Sequence, residues 1–360
     1  MEQESAHGSG KTQASKQRIE AGKTFPYKEI DVSFQNKQAR VTLSGTLTLP
    51  FRENKHPIVI LISGSGPLDR DSTFLGYKPF LSIADSLARK GIAVLRFDKR
   101  GVGKSTGDVN TAVTEDLAQD VLAAIEYLKT VKEIDPQQIG LIGTSEGGII
   151  ALMLASRTKD VAYIVMVGSP VLPGKHNATL VFTLLVNEGQ INMKKFSEDK
   201  ILLDRFFDLV TKETSIDEEK KESIEIAKRI LPRINKKTKA VMGFSQLSPE
   251  VFISIFSIPW MKEYLNSSPE SFLRKVTCPV LAVYGNKDVQ APAKENIEVI
   301  NRTIEQNEKT DYTIKEIPDV NHLMQNCITG YPSEYETNDK AVSPEIVNLS
   351  AAWISDRTGM

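Results

Sequence analysis

Short apolar runs and amphipathic stretches take turns along most of the chain. Two alternating segments, Tyr27–Phe34 and Ala39–Leu49, come first. They predict an antiparallel pair joined by a polar turn around Asn36 and Lys37. Ile58–Ser63 then predicts a buried strand, Phe80–Arg89 a helix and Ile92–Phe97 another strand. Glu115–Lys129 carries Leu117, Val121, Leu122, Ile125 and Leu128 on one helical face. Ile139–Gly143 and Ala162–Val167 predict two further strands, with the mostly apolar helix Glu146–Arg157 between them. Such alternation implies a parallel sheet covered by helices on both faces.

The rhythm stops near Leu172 and resumes after Lys275. Between them the pattern is helical, with charge-rich faces such as Asp217–Glu222 and Lys236–Lys239; only Val251–Ile255 offers a strand-like run. Afterwards come a strand at Pro279–Gly285, a helix from Pro292 to Ile304 and a strand at Tyr312–Ile317. A last helix is expected with Ser343 as N-cap and Pro344 in its first turn, burying Ile346, Leu349 and Trp353. The organisation expected is one α/β core over residues 25–171 and 276–360, a helical cap inserted over 172–275, and a mobile polar tail over 1–24. That tail has too little apolar surface to offset its ordering entropy.

Composition narrows the function classes. Lys+Arg is 45 and Asp+Glu is 46, so the formal charge of −1 supplies no global drive toward nucleic acid or an anionic membrane. Two cysteines, Cys278 and Cys327, exclude a disulfide framework and a cysteine-built zinc site, and are expected to be unpaired. Four histidines argue against a His-rich metal cluster. Ile58–Ile62 and Ile149–Ala155 fall far short of the roughly 20 apolar residues of a membrane span. The first residues lack a signal-peptide pattern. As it stands the chain reads as cytoplasmic, or as exported if a leader was removed ahead of Met1. Oligomeric state is not legible.

Candidate chemistry begins at Gly143-Thr144-Ser145-Glu146-Gly147-Gly148, a G-x-S-x-G run between a strand and an apolar helix. A serine on so sharp a turn is strained, and only small flanking residues let strand and helix approach closely. The hydroxyl is thereby lifted to a helix N-terminus, which favours developing negative charge. Such a serine needs a base, and the base an orienting acid. His7 lies in the tail, His56 at the wrong end of a strand and His176 in the insertion. His322 alone follows the carboxyl end of a core strand, where sites gather in open α/β sheets. Asp288, just beyond the Val280–Tyr284 strand, is the expected acid, with Asp319 as an alternative. Two backbone N–H groups are expected to form an oxyanion hole, those of Glu146 and of Ser65 in Ser63-Gly64-Ser65-Gly66-Pro67. The Glu146 side chain has three open readings: repelling anions, holding a cationic group such as an N-terminal amine, or solvation.

These residues, with Ser63–Asp71, Asp98–Ser105, Cys278–Leu281 and Asn321–Gln325, resemble the α/β-hydrolase superfamily. The similarity is to bacterial carboxylesterases and serine-aminopeptidase-like (S33-like) hydrolases. The order Ser145, Asp288, His322 matches that superfamily. The resemblance implies an α/β-hydrolase fold with a mostly parallel sheet, an N-terminal antiparallel hairpin and a helical cap after the sixth strand. It also implies cleavage of small-molecule, short-chain acyl esters through an acyl-Ser145 intermediate, without cofactor or metal. Amidase, aminopeptidase and thioesterase chemistry on the same triad remain alternatives, as does a non-catalytic binding protein on this fold. Cap residues such as Phe206, Phe244, Phe252 and Trp260 are expected to form the cap core and wall an acyl pocket. Gly101–Thr106 imitates a phosphate loop, but Asp98 stands where that pattern needs glycine.

Overall fold

In a computed structural model the chain is described over residues 25–52, 54–186, 193–213, 217–234, 236–241, 248–305 and 311–360. The polar tail and Phe244 lie outside the described residues. The strands are β1 Tyr27–Asn36, β2 Val41–Pro50, β3 His56–Ile62, β4 Ala93–Phe97, β5 Ile134–Thr144, β6 Tyr163–Val167, β7 Val280–Gly285 and β8 Tyr312–Ile317. They form one sheet in the order β1-β2-β4-β3-β5-β6-β7-β8. Only β2 runs against the others, pairing antiparallel with both β1 and β4. From β4 through β8 every pairing is parallel.

The apolar runs owe their continuity to burial on both faces: all residues of β3, β4, β6 and β7 are buried. Side chains alternate between two cores. Ile58, Ile60, Leu141, Ile164 and Ala282 meet the helices α2 Thr114–Leu128, α3 Glu146–Ala155 and α11 Ala293–Glu305. Val59, Leu61, Ile142, Val165 and Leu281 meet α1 Pro79–Arg89 and α12 Pro344–Thr358 on the other face. Between β6 and β7 stand α4 Gly174–Val186, α5 Met193–Thr211, α6 Asp217–Ile230, α7 Lys236–Val241, α8 Pro249–Phe256, α9 Pro259–Asn266 and α10 Glu270–Leu273. Phe206, Phe207, Ile230 and Phe252 belong to an apolar cluster of these helices that is separate from the sheet cores.

Three local expectations need correction. Val251–Ile255 lies in α8: Ser248 caps the helix by accepting from the Val251 N–H at 3.3 Å, and Pro249 begins it. Capping and the Phe206–Phe252 and Phe252–Phe256 ring contacts override the β-branched signal. β1 runs through Asn36, whose Nδ2 donates to Asp120 at 2.8 Å, so the turn falls at 37–40. Ser343 precedes α12 as expected but makes no side-chain cap bond, and Leu349 is only partly buried.

Charged residues fasten the loop after β3. Arg70 donates to Asp98 from Nε at 3.1 Å and Nη2 at 2.7 Å, while Arg96 pairs with Asp71 and Glu29. Burial would raise the Asp98 carboxyl, but hydrogen bonds and charge from Arg70 outweigh it and hold the carboxyl below its ordinary value. A depressed folded-state pKa stabilises the fold above the unfolded-state pKa, and this is lost as pH falls through the folded one. Asp98→Asn should therefore cost about 3 kcal/mol at neutral pH. In urea melts its deficit against the wild type should narrow as acid protonates Asp98.

Candidate active site

The sheet order brings four strand ends together. β3 and β5 are neighbours, and β6 alone separates β5 from β7. Ser145 immediately follows β5, Asp288 follows β7, His322 follows β8 and Ser65 follows β3.

Ser145 has φ 53° and ψ −122°, a conformation that L-residues rarely adopt. Its surroundings impose it. A Cβ on Gly143 would stand 2.2 Å from the Gly147 backbone, and one on Gly147 would stand 2.1 Å from the Ile62 carbonyl oxygen. Strand and helix are packed backbone to backbone. Ser145 occupies the N-cap position of α3 without making a side-chain cap bond. Its Oγ instead lies 3.1 Å from His322 Nε2. The other ring nitrogen, Nδ1, lies 2.9 and 3.0 Å from the two carboxylate oxygens of Asp288.

Each partner is held in turn. Asp288 Oδ1 accepts from the N–H groups of Gln290 and Ala291, both at 2.8 Å. His322 sits in a turn organised by Asn321, whose Oδ1 accepts from the N–H groups of Leu323 at 2.9 Å and Gln325 at 3.0 Å. Asp319 is exposed and does not approach the imidazole; its N–H is bound by Asn286 Oδ1 at 2.8 Å. Gly168, not among the residues the sequence singles out, directly follows β6 with φ +55°, and a Cβ there would stand 2.9 Å from Asp288 Oδ2. A glycine directly after the strand between β5 and β7 was the available signal.

Glu146 is not solvated. It is 4% exposed; Oε1 accepts from Thr114 Oγ1 at 2.9 Å and from Trp260 Nε1, while Oε2 lies 3.4 Å from Lys99 Nζ. Ser65 is exposed on the loop beside the elbow, and a Cβ on its neighbour Gly64 would lie 3.1 Å from Ser145 Cβ.

Two cavities meet at Ser145. One of about 320 Å³ runs beneath the inserted helices, walled by residues including Phe182, Phe206, Phe252, Trp260 and Met261. The other, of about 280 Å³, is lined by His322, Tyr77, Leu323, Pro332 and Tyr335. Ser65, Ser145 and Gln290 border both. Among the described residues no group of His, Cys, Asp and Glu could hold a metal ion, no helix is long and apolar enough to cross a membrane, and both cysteines are free.

Comparison with known proteins agrees with this architecture. The family model described as serine aminopeptidase, S33, matches residues 77–326. Esterase EstD of Thermotoga maritima is 25% identical over 327 residues, covering 89% of this chain and 68% of that protein. Among solved structures, the Pyrococcus furiosus esterase Pf2001 aligns with TM-score 0.54 and 16% identity over 98% of this chain and 99% of that one. Est1E of Butyrivibrio proteoclasticus, solved with ferulic acid bound, aligns with TM-score 0.51 and 16% identity over 90% and 96%. Those two likenesses concern the fold.

The close packing at the elbow yields a stability prediction. Gly147→Ala should lower the unfolding free energy by about 2 kcal/mol or more, because backbone rather than a mobile side chain opposes the methyl group. Chemical denaturation measures this; an unchanged midpoint would contradict the steric account.

Proposed function

The chain belongs to the serine aminopeptidase (S33) family of α/β hydrolases, and on that premise we propose that it hydrolyses carboxylic esters through an acyl intermediate on Ser145. Ser145 Oγ attacks the ester carbonyl while its proton passes to His322 Nε2. Asp288 keeps Nδ1 protonated and stabilises the imidazolium as it forms. The N–H groups of Glu146 and Ser65 hold the oxyanion. His322 then protonates the departing alkoxide, and water repeats the sequence on the acyl-enzyme. The observation carrying this reading is the continuous contact from Asp288 through His322 to a strained Ser145. The name of Esterase EstD points the same way.

Because His322 protonates the leaving group, the alcohol belongs in the cavity that His322 lines. The acyl group is left the apolar cavity beneath the cap. At about 30 Å³ for each water-sized group, that space takes chains well beyond acetyl. An aminopeptidase reading is less well supported. It needs a carboxylate for the substrate amine, and Glu146 already accepts from Trp260 and Thr114 and lies beside Lys99. No other acidic residue lines either cavity among the described residues.

A panel of p-nitrophenyl esters set against aminoacyl anilides tests the proposal. Turnover is expected on the esters, rising from acetate to a medium-length chain. Ser145→Ala should lower it at least about 10³-fold. Faster anilide than ester turnover, or undiminished turnover by Ser145→Ala, would contradict it.

A further inference from the structure

The two N–H groups proposed to hold the oxyanion share one buried support. Lys99 Nζ donates to the Gly64 carbonyl oxygen at 2.5 Å and lies 3.4 Å from Glu146 Oε2. Both side chains are almost fully buried, at 6% and 4% exposure. The Gly64 carbonyl and the Ser65 N–H belong to the same peptide unit. In a planar trans peptide these groups point in opposite directions, so fixing the oxygen fixes the aim of the N–H. An ammonium on the oxygen also polarises that unit and strengthens its N–H as a donor. Lys99 thus acts from behind the loop on the group that faces the substrate.

Glu146 links the same lysine to the cap. Its Oε1 accepts from Thr114 Oγ1 at the start of α2 and from the indole N–H of Trp260 in α9. The Thr114 N–H donates to Glu263 Oε2, also in α9, at 2.6 Å. Burial raises the Glu263 carboxyl above its ordinary value, and the nearby Glu146 charge adds to this, although bonds from the starts of α2 oppose it. Trp260 meanwhile walls the apolar cavity and stacks on Tyr264 with ring centroids 5.8 Å apart. A group filling that cavity therefore presses on the residue that grips Glu146.

We infer that Lys99 and the Glu146 side chain are positioning residues that aim the Ser65 and Glu146 N–H groups at the oxyanion, and that Trp260 makes this aim depend on the cap and on occupancy of the acyl cavity. The inference rests on the esterase reading and adds to it a means by which the acyl chain raises kcat. Contacts remote from the reacting carbonyl are then realised in the transition state, rather than only in binding.

Lys99→Met keeps the aliphatic stem, Glu146→Gln keeps the shape, and Trp260→Phe removes the indole donor. Each is assayed for kcat and KM on p-nitrophenyl acetate and octanoate, and for the rate of inactivation by an octyl p-nitrophenyl phosphonate. Lys99→Met is expected to lower kcat about tenfold on both esters with KM moved less than about twofold, and to slow inactivation similarly. Glu146→Gln should shift kcat the same way by a smaller factor. Trp260→Phe should lower kcat more on octanoate than on acetate. If Lys99→Met fails to fold, the other two substitutions decide.

A kcat within about twofold of wild type in the folded variants, or a loss confined to KM, would overturn the inference. Wild-type protein inert toward both esters and phosphonate would overturn the esterase reading and this inference with it. That failure is told apart because it precedes any substitution.

Discussion

The architecture turns on one close contact, the backbone-to-backbone approach of β5 and α3 around Ser145. Glycine at 143 removes the side chain that would hold the two elements apart, and glycine at 147 lets α3 sit against the end of β3 at Ile62. The residue between them is forced into a positive-φ conformation and raised above the strand end. No local preference of serine explains that geometry; the packed sheet beneath it does. Fully buried strands on either side supply the rigidity, so the strain is borne by the domain rather than by the loop. The hydroxyl consequently meets an imidazole arriving from a different strand end, without further rearrangement.

Sheet order does the rest. The parallel strands place the loops after β3, β5, β7 and β8 on one rim, so residues distant in the chain share one site. Much of this was legible. The apolar runs of the central strands stand out because burial on both faces leaves no polar alternation. Only one histidine follows a core strand end, and Asp288 follows another. Asp288 was the expected acid and Asp319 the alternative, since both follow strands, and the geometry of that choice lies beyond the sequence. It depends on which loop curls toward the imidazole. Gly168 leaves room for Asp288, whereas Asp319 turns outward at φ 53°.

Other features were hidden for a physical reason. The sequence leaves the Glu146 side chain open between repelling anions, holding a cation and solvation, yet its partners come from residues 99, 114 and 260. Pairing of that kind is set by tertiary packing and leaves no periodicity in the sequence. The same holds for Arg70 and Asp98, whose mutual fit fastens the loop bearing Ser65. In the cap, β-branched residues at 251, 253 and 255 suggested a strand, but Ser248 and Pro249 start a helix that stacking phenylalanines retain. The helices between β6 and β7 are best understood as a roof. They carry their own apolar cluster, and they supply most of the wall of one cavity while the core rim supplies the other. Polar contacts from α9 stitch that roof to the helix that begins at Ser145, through Trp260 and Glu146, and to the start of α2, through Glu263 and Thr114. Roof and reacting centre are thus mechanically continuous.

The central claim is that Ser145 is an activated nucleophile. It is tested most directly by exposing the protein to a serine-directed alkyl phosphonate and mapping the adduct by peptide mass spectrometry. The account predicts one equivalent of phosphonate on the peptide containing Ser145, none on Ser145→Ala, and slow labelling of His322→Ala. Labelling of another residue, or an unmodified Ser145 in folded protein after prolonged exposure, would contradict it.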